Sequence, residues 1–412
     1  MHIGDPCGRS HQGLRAVSRR AHEGRQHRLL LRRHLAREQY PLGGMSGNGA
    51  RSIEPAQAVA WLVAAKAERA PFFLFLHTYI PHSPYLPPPP LLRELSEQAR
   101  LADDLGYDSI SFTEHHFHVE GFELSNNQVL LDLLVAMQTK RIRVGLAVQV
   151  LPLANPLRVA EEAAIVDHIS EGRLIFGVGR SSFLESYQGY NVDYAESRAI
   201  FLESLEIIRQ AWGDVPFSYA GKYYQFRDVN LVPKPYQKPH PPIRVAVESR
   251  DTFAMVGQLG LPIFIRHQMD VPELQDLLKQ YQVERQAVGS TGPNDVILQI
   301  AAYVADTADK AYSEPEASTM RQRRMMRQTL HHTGDQEAFE RLRRLSEASY
   351  DEVLQRVAYG TPEAVVERLQ EYQETLGITG VSLDVNPGGQ LPYDRVVHSM
   401  RLLTEKVIPH FK

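Results

Sequence analysis

The sequence predicts a (β/α)8 barrel, a TIM barrel, with a long insertion between strands seven and eight and a basic extension at its N-terminus. Three observations point that way. Eight short apolar segments alternate with stretches of helical period. Most of these segments run into polar or charged residues at their C-terminal ends, where such a barrel gathers its catalytic groups. Hydrophobic residues make up 43% of the 412 and charged ones 23%, the make-up of a globular chain able to bury a large core. An open doubly wound sheet shows the same alternation, and the count of eight is what favours closure.

Charge sets the first 70 residues apart. Residues 1–51 contain ten arginines and five histidines but only Asp5, Glu23 and Glu38, giving +7; with −4 for the whole chain, the remainder carries −11. An acidic body does not suggest nucleic-acid binding. The head is Arg-rich and acid-poor like a targeting peptide, yet it lacks serine richness and a clean amphipathic period. Leu29 to Leu31 is too short an apolar core for a secretory signal. A nucleic-acid-binding tail is a further reading. The expectation is a disordered or partly helical extension over residues 1–70, or sequence upstream of a start near Met45, with residues 55–69 as a short helix outside the barrel. Residues 71–412 then form the barrel domain. Cys7 is the only cysteine, which rules out disulfides within the chain and suits a reducing, cytoplasmic setting. No apolar run reaches the roughly 18–20 residues of a membrane span, so no membrane association is expected.

Along the barrel, residues 72–79 form a continuous apolar run, the mark of a strand buried on both faces. Residues 85–90 hold four consecutive prolines and read as an extended loop. Leu92, Leu95, Ala99, Ala102 and Leu105 share one stripe of a helix closed by Gly106. Ile110 and Phe112 then alternate with Ser109, Ser111 and Thr113 as a second strand. A helix over 127–138 leads to a third strand over 142–152. Asn155 opens the next helix, with Pro156 at the tolerated first position. The fourth strand, 174–180, is glycine-rich, as where something approaches the backbone closely. Residues 194–212 read as a long helix and 214–242 as a loop. Strands at 243–248, 261–266 and 296–303 follow, with a helix over 251–259. The eighth strand is 381–385, before a last helix over 393–408. The connection from seventh to eighth is abnormally long, carries the basic, Met-rich stretch 320–327, and has the length of a lid or a disordered insert.

Folding these segments into a barrel would bring the strand ends to one face. Arg180, at the end of a glycine-flanked strand, Ser249 to Thr252 at a helix start, and Arg198 make a sensible anion site, because arginines fork onto phosphate oxygens and a helix N-terminus adds its dipole. Taken singly, Ser249 or Thr252 is as readily a helix cap and each arginine a surface partner; their joint placement carries the reading. Glu114, His115, His116 and His118 invite a metal, but adjacent histidines on a strand point opposite ways and no His-Glu-x-x-His spacing occurs, so no metal is expected. A Gly-x-Ser-x-Gly elbow is missing, and Gly177 with Gly179 is too short a fragment of the dinucleotide fingerprint.

These residues resemble the bacterial luciferase-like flavin-dependent monooxygenases. Thr113-Glu-His-His-Phe117, the stretch 144–152 with Asn155-Pro-Leu-Arg158, and above all residues 167–180 carry the likeness. Residues 247–262, Gly360-Thr-Pro-Glu363 and Gly377-Ile-Thr-Gly380 extend it, so that it covers about residues 72–412. The resemblance implies a TIM barrel, often a homodimer, that binds reduced FMN or a deazaflavin. Carried over by motif, Arg180, Arg198, Ser249 and Thr252 would hold the phosphate, Glu248 would contribute backbone, and Ala147–Val148 would form a non-proline cis peptide beneath the ring. His115 corresponds to a catalytic histidine, with Glu114 and His116 beside it. Reduced FMN from a separate flavin reductase would meet O2, give a C4a-(hydro)peroxyflavin and oxygenate a small organic substrate. His115 would serve as acid and base, since an imidazole titrates near neutrality. The insertion would exclude water. A reactive cysteine of some luciferases falls at Gly179, so light emission is not implied. A deazaflavin-dependent hydride-transfer enzyme on the same barrel is the second reading and a non-catalytic flavin-binding protein the third. Phe183, Tyr187, Tyr190, Tyr223 and Tyr224 suggest an apolar or aromatic pocket.

Overall fold

The computed structural model describes residues 73–77 (backbone), 89–117, 125–290, 295–330 and 336–411. The N-terminal extension, the helix expected at 55–69 and His118 lie outside them. Eight parallel strands follow one another around a closed ring: β1 (Phe73–His77), β2 (Ser109–Phe112), β3 (Arg143–Leu146), β4 (Leu174–Gly179), β5 (Ile243–Val247), β6 (Ile263–Arg266), β7 (Val296–Val304) and β8 (Gly380–Asp384). The ring closes between β8 and β1, where Gly380 is level with Phe73 and Asp384 with His77. Every barrel strand therefore has two neighbours, which excludes the open sheet. Helices α1 (Pro89–Leu105), α2 (Gln128–Gln138), α3 (Pro156–Ile169), α4 (Ser197–Ala211), α5 (Arg250–Gln258) and α6 (Val271–Ala287) follow strands one to six. The β7–β8 connection holds α7 (Glu316–Thr329), α8 (Gln336–Glu347) and α9 (Pro362–Leu376), and α10 (Tyr393–Leu402) follows β8. Among the described residues no helix is long and apolar enough to cross a membrane.

Local chemistry explains several boundaries. The Asn127 side chain accepts from the Leu130 amide at the start of α2, and Asn155 accepts from the Leu157 and Arg158 amides ahead of Pro156. Gly377, at φ 62°, ends α9 in the left-handed conformation that glycine tolerates. On the outer layer Trp212 stands edge-on to Phe176 at 5.0 Å and donates its indole N–H to the Ala160 carbonyl. Inside the barrel, Ile175, Phe264 and Ile297 form a small apolar cluster with Ala147, Val148 and Ala246 against it.

Four readings of the sequence need correction. The third strand is not continuous over 142–152. It stops at Leu146, passes through the cis peptide Ala147–Val148, resumes for Gln149–Val150 beside β4, and ends in a 3-10 turn over Leu151–Leu153. Residues 214–242 are not all loop: Phe217–Ala220 pairs antiparallel with Gln225–Val229. Its half-exposed alternation gives only a weak strand signal. Pro89 and Pro90 sit in the first turn of α1 rather than in a loop, because the first turn does not need their missing N–H groups. Helices α6 and α9 were not anticipated, although Leu274, Leu277, Leu278 and Tyr281 lie buried at helical spacing on α6.

Candidate active site

The chain leaves β2 at Phe112 and turns across the C-terminal mouth of the barrel. There Glu114 becomes the centre of a buried network. Its Oε2 accepts from Gln128 Nε2, Gln149 Nε2 and the Val150 amide, each at 2.8 Å, and its Oε1 lies 2.8 Å from His116 Nε2. The carboxylate thus ties the turn after β2 to the segment just past the cis peptide. His116 is sandwiched: Tyr190 Oη lies 3.2 Å from its Nδ1, with the rings edge-on at 4.9 Å. Burial, and then Glu114, raise the Tyr190 phenol above its ordinary pKa. A carboxylate oxygen only accepts, so the His116 Nε2 facing it carries a proton, and Nδ1 of the neutral ring is left to accept from the Tyr190 hydroxyl. Phe117, at φ 64°, lays its ring over Gly189, where a Cβ would come within 2.2 Å of it.

His115 points the other way, into a cavity of about 190 Å³ that opens to solvent. It meets Phe183 edge-on at 5.7 Å, and its backbone amide donates to the Ser125 carbonyl. The same cavity is lined by Glu114, Ala147, Val148, Arg180, Glu248, Ser249 and Thr252. Eight of the ten residues expected from sequence are therefore brought together. His116 and Arg198 are the two that do not line it.

The glycines of β4 have a specific cause. A Cβ on Gly177 would stand 1.8 Å from the Leu146 carbonyl oxygen, and one on Gly179 would stand 2.5 Å from Val148 Cγ2. What approaches this strand is the cis segment itself. At the strand's end Arg180 is held from two sides: its Nη1 donates to Ser197 Oγ at 3.3 Å, and its carbonyl accepts from the Tyr187 hydroxyl. Across the mouth Ser249 occupies the N-cap of α5 without making a side-chain cap, and its Oγ instead meets Thr252 Oγ1 at 2.6 Å. The Ser249 side chain thus caps no first-turn amide, the Thr252 N–H donates to the Ser249 carbonyl at 2.9 Å, and the helix keeps its dipole toward the cavity. Arg198 lies half-exposed and pairs with Asp251 at 3.4 Å, at the first turn of the same helix. Glu248 pairs with Arg266 at 3.4 Å.

Sequence reasoning missed Gln299 and Ser382, which line the cavity from β7 and β8. Each interrupts an otherwise apolar strand, a legible signal of an inward polar position. Two positions beyond Ser382, burial pushes the Asp384 carboxyl up to about 7, against hydrogen bonds from the Asn386 amide and Gln322 and the charge of Arg266. It also missed the insertion's share: Glu337, Ala338, Arg341 and Leu342 present one face of α8 to the cavity. Of the five aromatic residues singled out, only Phe183 lines it; Tyr187 and Tyr190 support the walls from behind, Tyr223 bonds to Glu196 and Tyr224 to the Ala154 carbonyl.

A closed eight-stranded barrel with its polar residues gathered at the C-terminal mouth defines an enzyme-like scaffold, and residues 71–379 match the model of the luciferase-like monooxygenases. The chain belongs to that family, whose members are oxidoreductases. Among sequence relatives, the uncharacterized protein y4vJ of Sinorhizobium fredii is 27% identical over 325 residues, covering 77% of this chain and 91% of its own. The oxygenase component of the flavin-dependent trigonelline monooxygenase of Acinetobacter baylyi is 28% identical over 226 residues, 54% of this chain and 61% of that one. Two solved structures share the fold. The oxygenating constituent of 3,6-diketocamphane monooxygenase from Pseudomonas putida, in complex with FMN, has a TM-score of 0.70 at 19% identity, covering 83% of this chain and 99% of its own. An F420-dependent secondary alcohol dehydrogenase has a TM-score of 0.67 at 15% identity, with coverage of 83% and 99%.

Proposed function

We propose that this chain is the oxygenase component of a two-component, FMN-dependent monooxygenase that oxygenates a small organic substrate. The observation that carries the reading is one cavity holding both an anion seat and a histidine: Arg180 with Ser249 and Thr252 at the start of α5, and His115 beyond the cis segment. Those residues fit a flavin monophosphate. Ser249 leaves its hydroxyl uncommitted to the helix, and Gly177 and Gly179 let the cis segment lie flat in a place any Cβ would fill. Bound in reduced form, the flavin supplies the electrons that activate O2.

The residues of the chain then have distinct tasks. Arg180, Ser249 and Thr252 bind the phosphate, with Glu248 contributing backbone, while Arg198 offsets the Asp251 carboxylate at the start of the same helix. Ala147 and Val148 support the ring. His115 holds or moves a proton at its imidazole beside Phe183. Glu114 and His116 act through their network, fixing the turn that aims His115. Phe183 and α8 exclude water from the cavity.

A separate flavin reductase is the partner this reading calls for, in line with the flavin-dependent trigonelline monooxygenase, whose similar chain is named its oxygenase component. Exposed Leu130 and Met137 on α2, and Ile165 and Ile169 on α3, suit a homodimer contact. A cytoplasmic setting accords with the single Cys7.

The test is oxygen uptake with reduced FMN against reduced deazaflavin, in wild type and His115→Ala. Uptake with reduced FMN, lost in the variant while FMN binding stays nearly intact, is the expected result. Turnover with reduced deazaflavin alone transfers the assignment to hydride transfer, and unchanged turnover in His115→Ala removes the histidine from the chemistry.

A further inference from the structure

We propose, building on the flavin reading above, that the insertion carries an anion-binding residue of its own: Arg341 of α8 takes an oxygen of the anionic group bound in the cavity. The side chain is 6% exposed and lines the cavity. Its Nε is buried and has no hydrogen-bond partner among the described residues. The neighbouring carboxylate of Glu337 stands 3.8 Å from Nη1, beyond hydrogen-bond distance, and is itself 57% exposed to screening solvent.

A structural arginine looks different in this same fold. Arg173 places Nε on the Ser170 carbonyl at 2.8 Å, Nη1 on the Ile142 carbonyl at 2.7 Å and Nη2 on the Ala136 carbonyl at 2.8 Å, locking the base of the barrel. Among the described residues Arg341 has no comparable set of acceptors, and a buried guanidinium is stable only when an opposite charge and good acceptors meet it. The cavity is where that charge has room to sit.

A second, independent contact locates it. Glu337 Oε1 is also 3.9 Å from Arg250 Nε, and Arg250 is the first residue of α5, directly after Ser249. The ionic chain Arg341, Glu337, Arg250 therefore holds the guanidinium on the side of the cavity where α5 begins, and Arg250 is fixed in turn by Glu273 at 2.6 Å. A guanidinium there offers a planar fork that fits either a phosphate or a carboxylate. The anion has two possible sources of the same chemistry: the flavin's own phosphate, or a carboxylate on the organic substrate. In both cases the bound ligand draws α8 onto the cavity it roofs.

The experiment uses the full chain and two variants, Arg341→Met, which keeps the apolar stem, and Arg341→Lys, which keeps the charge; Arg341→Gln replaces the first if it does not fold. Each is titrated by calorimetry under nitrogen with dithionite-reduced FMN, reduced riboflavin and benzoate. The expected result is FMN at least tenfold weaker in Arg341→Met, riboflavin within twofold of wild type, and partial recovery in Arg341→Lys; the anion is then the phosphate. FMN unchanged, with benzoate binding lost in Arg341→Met and kept in Arg341→Lys, also upholds Arg341 and makes a substrate carboxylate its ligand. Equal affinities of wild type and Arg341→Met for all three probes, or equal weakening for FMN and riboflavin, overturns it. A wild-type protein that binds neither flavin sinks the flavin reading instead, and benzoate and inorganic phosphate then judge Arg341 by the same comparison.

Discussion

Removing the Glu114 carboxylate should unfasten the mouth of the barrel. Glu114→Ala strands the Gln128 and Gln149 amides and the Val150 N–H, three donors that now meet one oxygen at 2.8 Å, and takes away the partner of His116 Nε2. Glu114, His116, Gln128 and Gln149 are each less than a tenth exposed, so bulk water does not replace it in place. A buried donor left unsatisfied costs about 1–3 kcal/mol, and Gln128 Nε2 keeps the bond it already donates to Gln149 Oε1 at 3.1 Å, so a total of about 3–5 kcal/mol is expected. That is a large share of a typical stability of roughly 5–15 kcal/mol. Glu114→Gln keeps an oxygen for the three donors and gives up charge assistance, about 1–2 kcal/mol, while its NH2 faces His116 Nε2, which must then shift its proton to Nδ1. Equilibrium urea unfolding of the three proteins measures both numbers, and flavin titration follows the cavity. An alanine variant within 1 kcal/mol of wild type, or one no less stable than the glutamine variant, would refute the claim that this carboxylate organises the site.

Three further outcomes are expected. Arg180→Ala should raise the FMN dissociation constant at least tenfold, the loss of a charge-assisted bond of about 1.5–3 kcal/mol, and an unaltered titration counts against it. Gly179→Ala forces a Cβ to within 2.5 Å of Val148 Cγ2, so Val148 must move into the cavity; a loss of about 1–3 kcal/mol in stability together with weaker flavin binding is expected, and wild-type behaviour in both assays would show that the cis segment yields freely. For Asp384, burial raises the folded-state carboxyl to about 7 from 3.8, so the unfolded chain gives up its proton first as pH rises. Its stabilising contribution is whole below pH 4 and is lost through pH 7, and Asp384→Asn should flatten the decline in urea midpoint across that window. Parallel pH curves for the two proteins would discard the raised value.

The barrel was legible because its eight strands are short, apolar and bounded by polar ends, and a parallel strand covered on both faces leaves that pattern in the chain. The meeting of Arg180 and Ser249 at one cavity was legible for a related reason: Arg180 ends a strand and Ser249 begins a helix, so each position announces its side of the barrel. The cis segment was legible only through family likeness, since residues 142–152 carry one uninterrupted apolar pattern. Arg198 shows the limit of reading charge without geometry, for it reaches Asp251 on the outer side of α5 and not the cavity. The insertion was legible as a cover over the site, but the residues of α8 that face the cavity were not. The charged, amphipathic sequence of that helix fixes which face is buried but carries no sign of what that face covers.

The attachment of the insertion to the rest of the molecule is lopsided. At α7, Ser318 Oγ donates to the Pro387 carbonyl at 2.6 Å and accepts from the Gln390 amide at 2.8 Å, while Arg321 grips the Gly388 carbonyl at 2.6 Å. Gly388, at φ 76°, leaves no room there for even one extra carbon, because a Cβ would stand 1.9 Å from the Ser318 carbonyl oxygen. From α8, among the described residues, one long ionic contact reaches α5, Glu337 to Arg250 at 3.9 Å. One end is bolted and the other latched. Residues on the latched end, Ala338 and Leu342 among them, can therefore be exchanged to reshape what the enzyme admits while the bolted end keeps the roof on.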